Sequence, residues 1–356
     1  MNGLFETMTR DGHEQVVFCS DATSKLRAII AIHDTTLGPA LGGVRMRPYR
    51  TDEEALIDVL RLSRGMTYKN ALAGLKLGGG KAVIIGDPAK DKGEMLFRSL
   101  GSFVQSLNGR YLIAEDMGIG VEDMMCIMKK TKWVCGLPTS IGGSGDPSPF
   151  TAFGVLRGMQ ACVCEVFGSD SLEGRLIAIQ GLGHVGYTLA ELIHKEGARL
   201  ICSEPINADA AEKVRDELGA TIVGEDDIYD VECDIFAPCA VGGILNDQTI
   251  PRLKCKIVAG AANNQLAVGT RDGLALVERD ILYAPDYAIN SGGVINISVE
   301  RDPGGYSADM ARSKVAQIYD IMTQLIDTSK LEGIPTHEVA DKLAKAMIER
   351  GRQAAR

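Results

Sequence analysis

Two lysines and an aspartate in the first part of the chain have surroundings suited to moving protons on a small polar substrate. Lys81 closes the run GGGK that begins at Gly78 and is followed by the apolar stretch AVII. Glycines let backbone crowd a cleft and apolar neighbours strip water from the ammonium, an environment in which a lysine can serve as a general base. Lys69 follows a helix-like segment ending at Met66, and Asp116 ends the strand-like YLIAED beside Gly118. One cation for a carboxylate, one base for water and one acid to exchange protons at nitrogen would suit chemistry on an α-amino acid. Taken singly, each lysine is more often a solvated surface charge. The GGGK run is no phosphate loop, because that motif needs glycine where Leu75 stands and Ser or Thr where Ala82 stands.

A second constellation lies further on. GLGHVG, with Gly181, Gly183 and Gly186, directly follows the apolar RLIAIQ and opens a helical pattern. The first glycine of such a turn permits the bend, the second admits a pyrophosphate, and the third lets helix and strand pack closely, with the helix N-terminus facing the phosphate charge. The next strand ends in an acid, Glu204, at the distance where a carboxylate meets the adenosine ribose hydroxyls and repels a 2'-phosphate. NAD is therefore expected over NADP. The bland alternative is a glycine turn with no ligand.

The elements that must position these residues follow from periodicity. VVFCSD from Val16, LRAIIAIHD from Leu26, AVIIGD and YLIAED alternate with helical stretches, an α/β pattern. The helix after Thr51 carries a capping-box signature, Thr51 with Glu54, and apolar Leu56, Val59, Leu60 and Met66 at helical spacing. TSIGGSGDPSP from Thr139 breaks the periodicity as a hinge does, and Ser148 with Pro149 reads as the N-cap and first residue of the next helix. A βαβ series then runs through RLIAIQ, a helix from Val185, RLICSE, DIFAPCA, IVAGAAN and ILYAPD, which implies a buried parallel sheet. After Asp309 the spacing is helical, with Val315, Ile318, Met322 and Leu325 on one face, and a last helix begins at about His337.

At 356 residues the chain suits two domains, and its net charge of -9 offers no basic field for nucleic acid or an anionic membrane. Nine cysteines without a CxxC pair, and five histidines (His13, His33, His184, His194 and His337) without ligand spacing, argue for buried thiols in a reducing compartment and for no metal. The N-terminus lacks a leader pattern, so the protein is expected to be cytoplasmic.

AIHDTTLGPALGGVRM from Ala31, LSRGMTYKNALAGLKLGGGK from Leu62, NGRYLIAED from Asn108, QGLG from Gln180, DIFAPCA from Asp234, GAANNQL from Gly260 and YAPDYAINSGG from Tyr283 together resemble the Glu/Leu/Phe/Val dehydrogenase family, nearest its leucine-oxidising members. The resemblance spans nearly the whole chain. It implies an α/β fold with an N-terminal substrate and oligomerisation domain (1–139 with a returning helix at about 330–356), a Rossmann-type NAD-binding domain (147–329), and an active site in the cleft between them. By analogy Lys69 holds the substrate carboxylate with Gly43 nearby, Lys81 activates water, and Asp116 exchanges a proton with the nitrogen. Asn264 reaches substrate and cofactor. Thr151, His184, Val185, Cys239 and Ala240 join Gly181, Gly183, Gly186 and Glu204 around NAD, with His184 beside the phosphates.

Leu41, Ala114, Ala288 and Val294 line the side-chain pocket in that reading. Glutamate-specific relatives carry a lysine and a serine where Leu41 and Val294 stand, so an aliphatic L-amino acid is the expected substrate. Ala288 replaces a usual valine and keeps an aromatic L-amino acid (phenylalanine or tryptophan) open. Met117 and Ile119 replace the usual Val and Thr after the aspartate. An inactive NAD-binding regulator is the alternative of another class. The chain stops at Arg356, short of the family's usual extension, which leaves a homo-oligomer, octamer or dimer, as the expected assembly.

Overall fold

A computed structural model describes residues 3–354. The chain forms two compact units. One runs up to Asp146 and takes back Ile297–Ser307 and the segment from Ala344; the other is Pro147–Asn296 with Ala308–Leu343. The sequence boundaries differ from this division in two places: residues 297–307 return to the first unit, and the segment 330–343 packs with the second.

The first unit holds α1 (Leu4–Asp11), β1 (Gln15–Asp21), β2 (Leu26–Asp34), β3 (Ala40–Arg47), α2 (Asp52–Leu72), β4 (Gly78–Ile85), α3 (Glu94–Ser106), β5 (Tyr111–Glu115) and α4 (Val121–Met128). Its five strands are ordered β1-β2-β4-β3-β5. β1, β2 and β4 pair antiparallel, while β3 runs parallel to both β4 and β5. One face packs on α3 and α4 through Leu96, Phe97, Leu100, Met124 and Ile127. The other packs on α2, where Ile29, Ala31 and Val83 meet Ala55, Val59 and Leu60. Only half of the expected capping box forms at the start of α2. Thr51 accepts from the Glu54 N–H at 3.1 Å, but the Glu54 side chain reaches back to the Arg50 N–H instead of Thr51. The helix also runs six residues past Met66, so Lys69 lies in its last turn rather than after it.

The second unit opens with α5 (Ser148–Phe167), which starts one residue earlier than the sequence suggested, with Pro147 as its N-cap. Then follow β6 (Leu176–Gln180), α6 (His184–Lys195), β7 (Arg199–Ser203), α7 (Ala208–Leu218), β8 (Thr221–Ile222), β9 (Ile235–Pro238), β10 (Ile257–Val258), α8 (Gly269–Glu278), β11 (Leu282–Tyr283) and α9 (Asp286–Ile289). α10 (Gly292–Ser298), α11 (Ala308–Ala316), α12 (Ile318–Glu332) and α13 (Thr336–Ala354) complete the chain. The helical face of Val315, Ile318, Met322 and Leu325 is fully buried but is divided between two helices, with Gln317 at the break. The sheet is entirely parallel, β11-β10-β9-β6-β7-β8, the doubly wound order whose direction reverses between β6 and β9. α5 is long and apolar enough to cross a membrane by composition, but 56% of that stretch is buried inside the protein, as a core helix is.

Candidate active site

Strand register gathers the first constellation. Gly43 pairs with Ala114 across β3 and β5, and Val44 with Ala82 across β3 and β4, so Leu41, Gly43, Arg45, Lys81 and Ala114 share one face of the sheet. Glycine is needed where the layers press together. A Cβ on Gly42 would stand 1.7 Å from the Gly80 carbonyl oxygen, and one on Gly79 would stand 2.0 Å from the Thr67 nitrogen in α2. The GGGK run is therefore strand, not loop. Asn70 ties the end of α2 to it by donating to the Gly78 carbonyl at 2.6 Å, and half-buried Lys69 lies between Thr67 and Asn70.

Lys81 is buried, but it is not a bare desolvated amine. Its Nζ lies 2.9 Å from Asp116 Oδ2, and the same oxygen accepts from Arg45 Nε at 2.9 Å. Burial alone would raise the Asp116 carboxyl; the attraction of Lys81 and Arg45 outweighs it and holds the group well below the usual carboxylate range. The other oxygen, Oδ1, accepts no hydrogen bond among the described residues, and the side chain keeps 22% exposure. Arg45 reaches Asp58 Oδ2 at 3.5 Å, and Tyr49 donates to that oxygen at 2.7 Å. Tyr111, fully buried under the glycines, donates to the Gly42 carbonyl at 2.8 Å and fixes the Gly42–Gly43 turn of strand against which Asp116 rests.

In the second unit the three glycines of the β6–α6 turn differ as a phosphate-binding turn requires. Gly181 has φ +95°, and a Cβ there would press on Ala240; a Cβ on Gly186 would stand 2.0 Å from the Gly181 oxygen and 3.2 Å from Cys239 Cβ. At Gly183 a Cβ would meet nothing within 4 Å, so backbone there is open to an approaching phosphate, with His184 and Val185 beginning a 12-residue helix behind it. Glu204 is tied to the turn: Oε2 accepts from the Leu182 N–H at 2.6 Å, and Oε1 from Ile206 and Asn207 at 2.9 and 3.0 Å. Burial opposes its ionisation, and these three donors overcome it. Asn264 is exposed and left-handed (φ 53°), with its carbonyl accepting from Gly243 at 2.8 Å. Thr151 lies in the first turn of α5, where a Cβ on Gly293 would stand 2.6 Å from its hydroxyl, so α5 and the start of α10 meet there, beside Val294. Ala288 and Val294 are both buried. Among the described residues no three His, Cys, Asp or Glu side chains group as a metal site would.

The family model for Glu/Leu/Phe/Val dehydrogenase, dimerisation domain, matches residues 13–133, and that for Glutamate/Leucine/Phenylalanine/Valine dehydrogenase matches residues 206–351. The chain belongs to the Glu/Leu/Phe/Val dehydrogenase family. It is an amino acid dehydrogenase. It is 56% identical over 346 residues to leucine dehydrogenase of Thermoactinomyces intermedius, covering 97% of this chain and 93% of that one. It is also 51% identical over 342 residues to phenylalanine dehydrogenase of Lysinibacillus sphaericus, covering 95% and 89%. The crystal structure of L-tryptophan dehydrogenase from Nostoc punctiforme superposes with a TM-score of 0.85 at 45% identity, covering 98% of this chain and all of that one.

Within this family member the structure brings Lys81 and Asp116 into contact and sets Gly43, Leu41 and Ala114 on their strand face. In the other unit it joins Gly181 and Gly186 to Ala240 and Cys239, and Glu204 to Leu182. Sequence reasoning missed Arg45, Asp58 and Tyr49. The one available signal was that Arg45 follows Gly43 by two residues, the repeat of a strand.

Proposed function

We propose that this dehydrogenase oxidatively deaminates branched-chain aliphatic L-amino acids, leucine with valine and isoleucine, to 2-oxo acids and ammonium with NAD. The observation that carries the reading is the Lys81–Asp116 pair, which leaves one carboxylate oxygen open on a strand face lined by Leu41 and Ala114. Lys69 holds the substrate carboxylate. Asp116 takes a proton from the substrate ammonium, so that the nitrogen lone pair can form the iminium as hydride leaves Cα. With its own proton given up to solvent, Lys81 takes a proton from the water that attacks that carbon. Asp116 then returns its proton to the nitrogen, the C–N bond breaks, and the departing amine leaves as ammonium with the carbinol O–H proton as the 2-oxo group forms. NAD, when bound, would supply the hydride acceptor. Gly183, backed by the N-terminus of α6, would meet the pyrophosphate, and the Glu204 carboxylate would repel a 2'-phosphate. Thr151, His184, Val185, Cys239, Ala240 and Asn264 complete the cofactor's surroundings.

Substrate choice is a matter of desolvation. Leu41, Ala114, Ala288 and Val294 carry no group that could compensate a buried side-chain carboxylate, so glutamate is rejected. Ala288, small and 1% exposed, favours the second reading, an aromatic substrate, because the methyls a valine would add are absent. Gains or losses of that size are worth about 1–3 kcal/mol and shift preference without changing the reaction. The test is NADH formation with L-leucine, L-valine, L-phenylalanine, L-tryptophan and L-glutamate, each with NAD and NADP. Leucine or valine should lead with NAD, and an aromatic leading would move the assignment to the second reading. Lys81→Ala should lose turnover by about 10³-fold while still binding NAD; undiminished turnover in that variant sinks the mechanism. With nine free thiols and no basic field for nucleic acid or membrane, the enzyme is read as a cytoplasmic homo-oligomer whose partner is its amino acid.

A further inference from the structure

Arg45 has no part in the chemistry above, yet it occupies the same Asp116 oxygen as Lys81. Its side chain is only 12% exposed, and its far end is held by Asp58, itself 8% exposed and fixed by the Tyr49 hydroxyl at 2.7 Å. A guanidinium is planar and keeps its fork in one orientation once both ends are occupied. With Nε on Asp116 and Nη1 towards Asp58, the arginine spans from β3 to α2 and cannot turn without breaking both pairs. Lys81, a flexible point charge, could by itself follow either carboxylate oxygen. We infer that Arg45, latched by Asp58 and Tyr49, is a positioning residue: it draws both cations onto Asp116 Oδ2 and so keeps Oδ1 turned out for the substrate nitrogen.

The inference rests on the reading that Asp116 exchanges a proton with that nitrogen. The charged and titratable groups facing Asp116 are Lys81 from β4, Arg45 from β3 and Tyr111 from β5. Asp58 stands behind Arg45 on α2, and Arg61 lies 3.6 Å from the other Asp58 oxygen. Burial, and then Asp116, keep the Tyr111 phenol far above its ordinary value, so Tyr111 stays neutral. Removing Arg45 thus leaves Lys81 alone against the burial of the carboxylate, and the Asp116 titration must move up.

The test compares Arg45→Gln, Arg45→Lys and Asp58→Asn in the full-length enzyme. Arg45→Gln should lower kcat about 30-fold with the amino acid KM changed less than about 3-fold, the split expected of a group that orients the reacting acid without binding substrate. In protein labelled with carboxyl-13C aspartate, the Asp116 signal, identified by its loss in Asp116→Asn, should titrate at least about one pH unit higher. Arg45→Lys should restore the titration and only part of kcat. Asp58→Asn, which keeps the arginine but cuts its latch, should cost about 10-fold in kcat. A folded Arg45→Gln enzyme with wild-type kcat, or with an unmoved Asp116 signal, overturns the inference. If Arg45→Gln does not fold, wild-type kcat in Asp58→Asn overturns it equally. Should the wild type oxidise no amino acid, the functional reading fails and the carbon signal alone decides the positioning role.

Discussion

His33 shows how a single buried base sets a pH limit on this protein. Its imidazole is enclosed between α1 and α2, with Nδ1 2.8 Å from the Thr67 hydroxyl and Nε2 2.8 Å from the Asp11 carbonyl. Burial pushes it down to about 4, against weaker support from the Asp11 carbonyl. In the unfolded chain it would take a proton at about 6.5. Between those values the unfolded state binds the extra proton, so stability is full above about 6.5 and falls as the pH drops towards 4, by up to about 1.4 kcal/mol per pH unit. His13 and His337, also lowered by burial, act in the same direction. Urea midpoints should therefore fall from pH 7 to pH 5, and fall less in His33→Gln. Equal pH dependence in the two proteins would mean that His33 is protonated without cost.

Element packing accounts both for the glycines and for what could be read in advance. Gly42→Ala would place a methyl 1.7 Å from the Gly80 oxygen, forcing β3 and β4 apart. We expect a loss of about 3 kcal/mol in urea unfolding, at the upper end of ordinary overpacking; a wild-type midpoint would show that these strands separate freely. The same glycines hid β3 from sequence reading, since ALGGVRMR has no clean alternation and GGGK looks like a turn. The strands β2 and β5, the β6–α6 turn and the start of α2 were legible because each is a local pattern of period or cap. Lys81 and Asp116 were legible as types in motifs. Their contact was not, because it depends on the register of β3 between β4 and β5, which no single segment carries. Asp58 was lost for a related reason: flanked by Leu56, Val59 and Leu60, it reads as the polar edge of a helix, and only the arrival of Arg45 and Tyr49 explains its burial.

At the scale of the whole chain, the proposed chemical groups and the proposed cofactor turn belong to different units. The first holds the Lys81–Asp116 pair on a mixed sheet, and the second holds the glycine turn on a parallel one. β1 lies at the open edge of the first sheet with Phe18 57% exposed, and an uncovered edge of that kind is a template for pairing with another chain. Sedimentation equilibrium should accordingly give a mass that is a multiple of 38.1 kDa, and Phe18→Lys should shift it towards one chain; an unaltered monomer for the wild type would remove the assembly from the proposed function. The cluster of Lys81, Asp116, Arg45 and Asp58 has a different bearing on the molecule's surroundings. Its formal charges cancel in pairs, and three of its four side chains are at most 12% exposed. Dissolved ions screen exposed charges over about 10 Å at 0.1 M, but they have little access to a buried and internally balanced set. The protein thus carries its own counter-ions here, and the contacts within this cluster should change little with the saltiness of the medium.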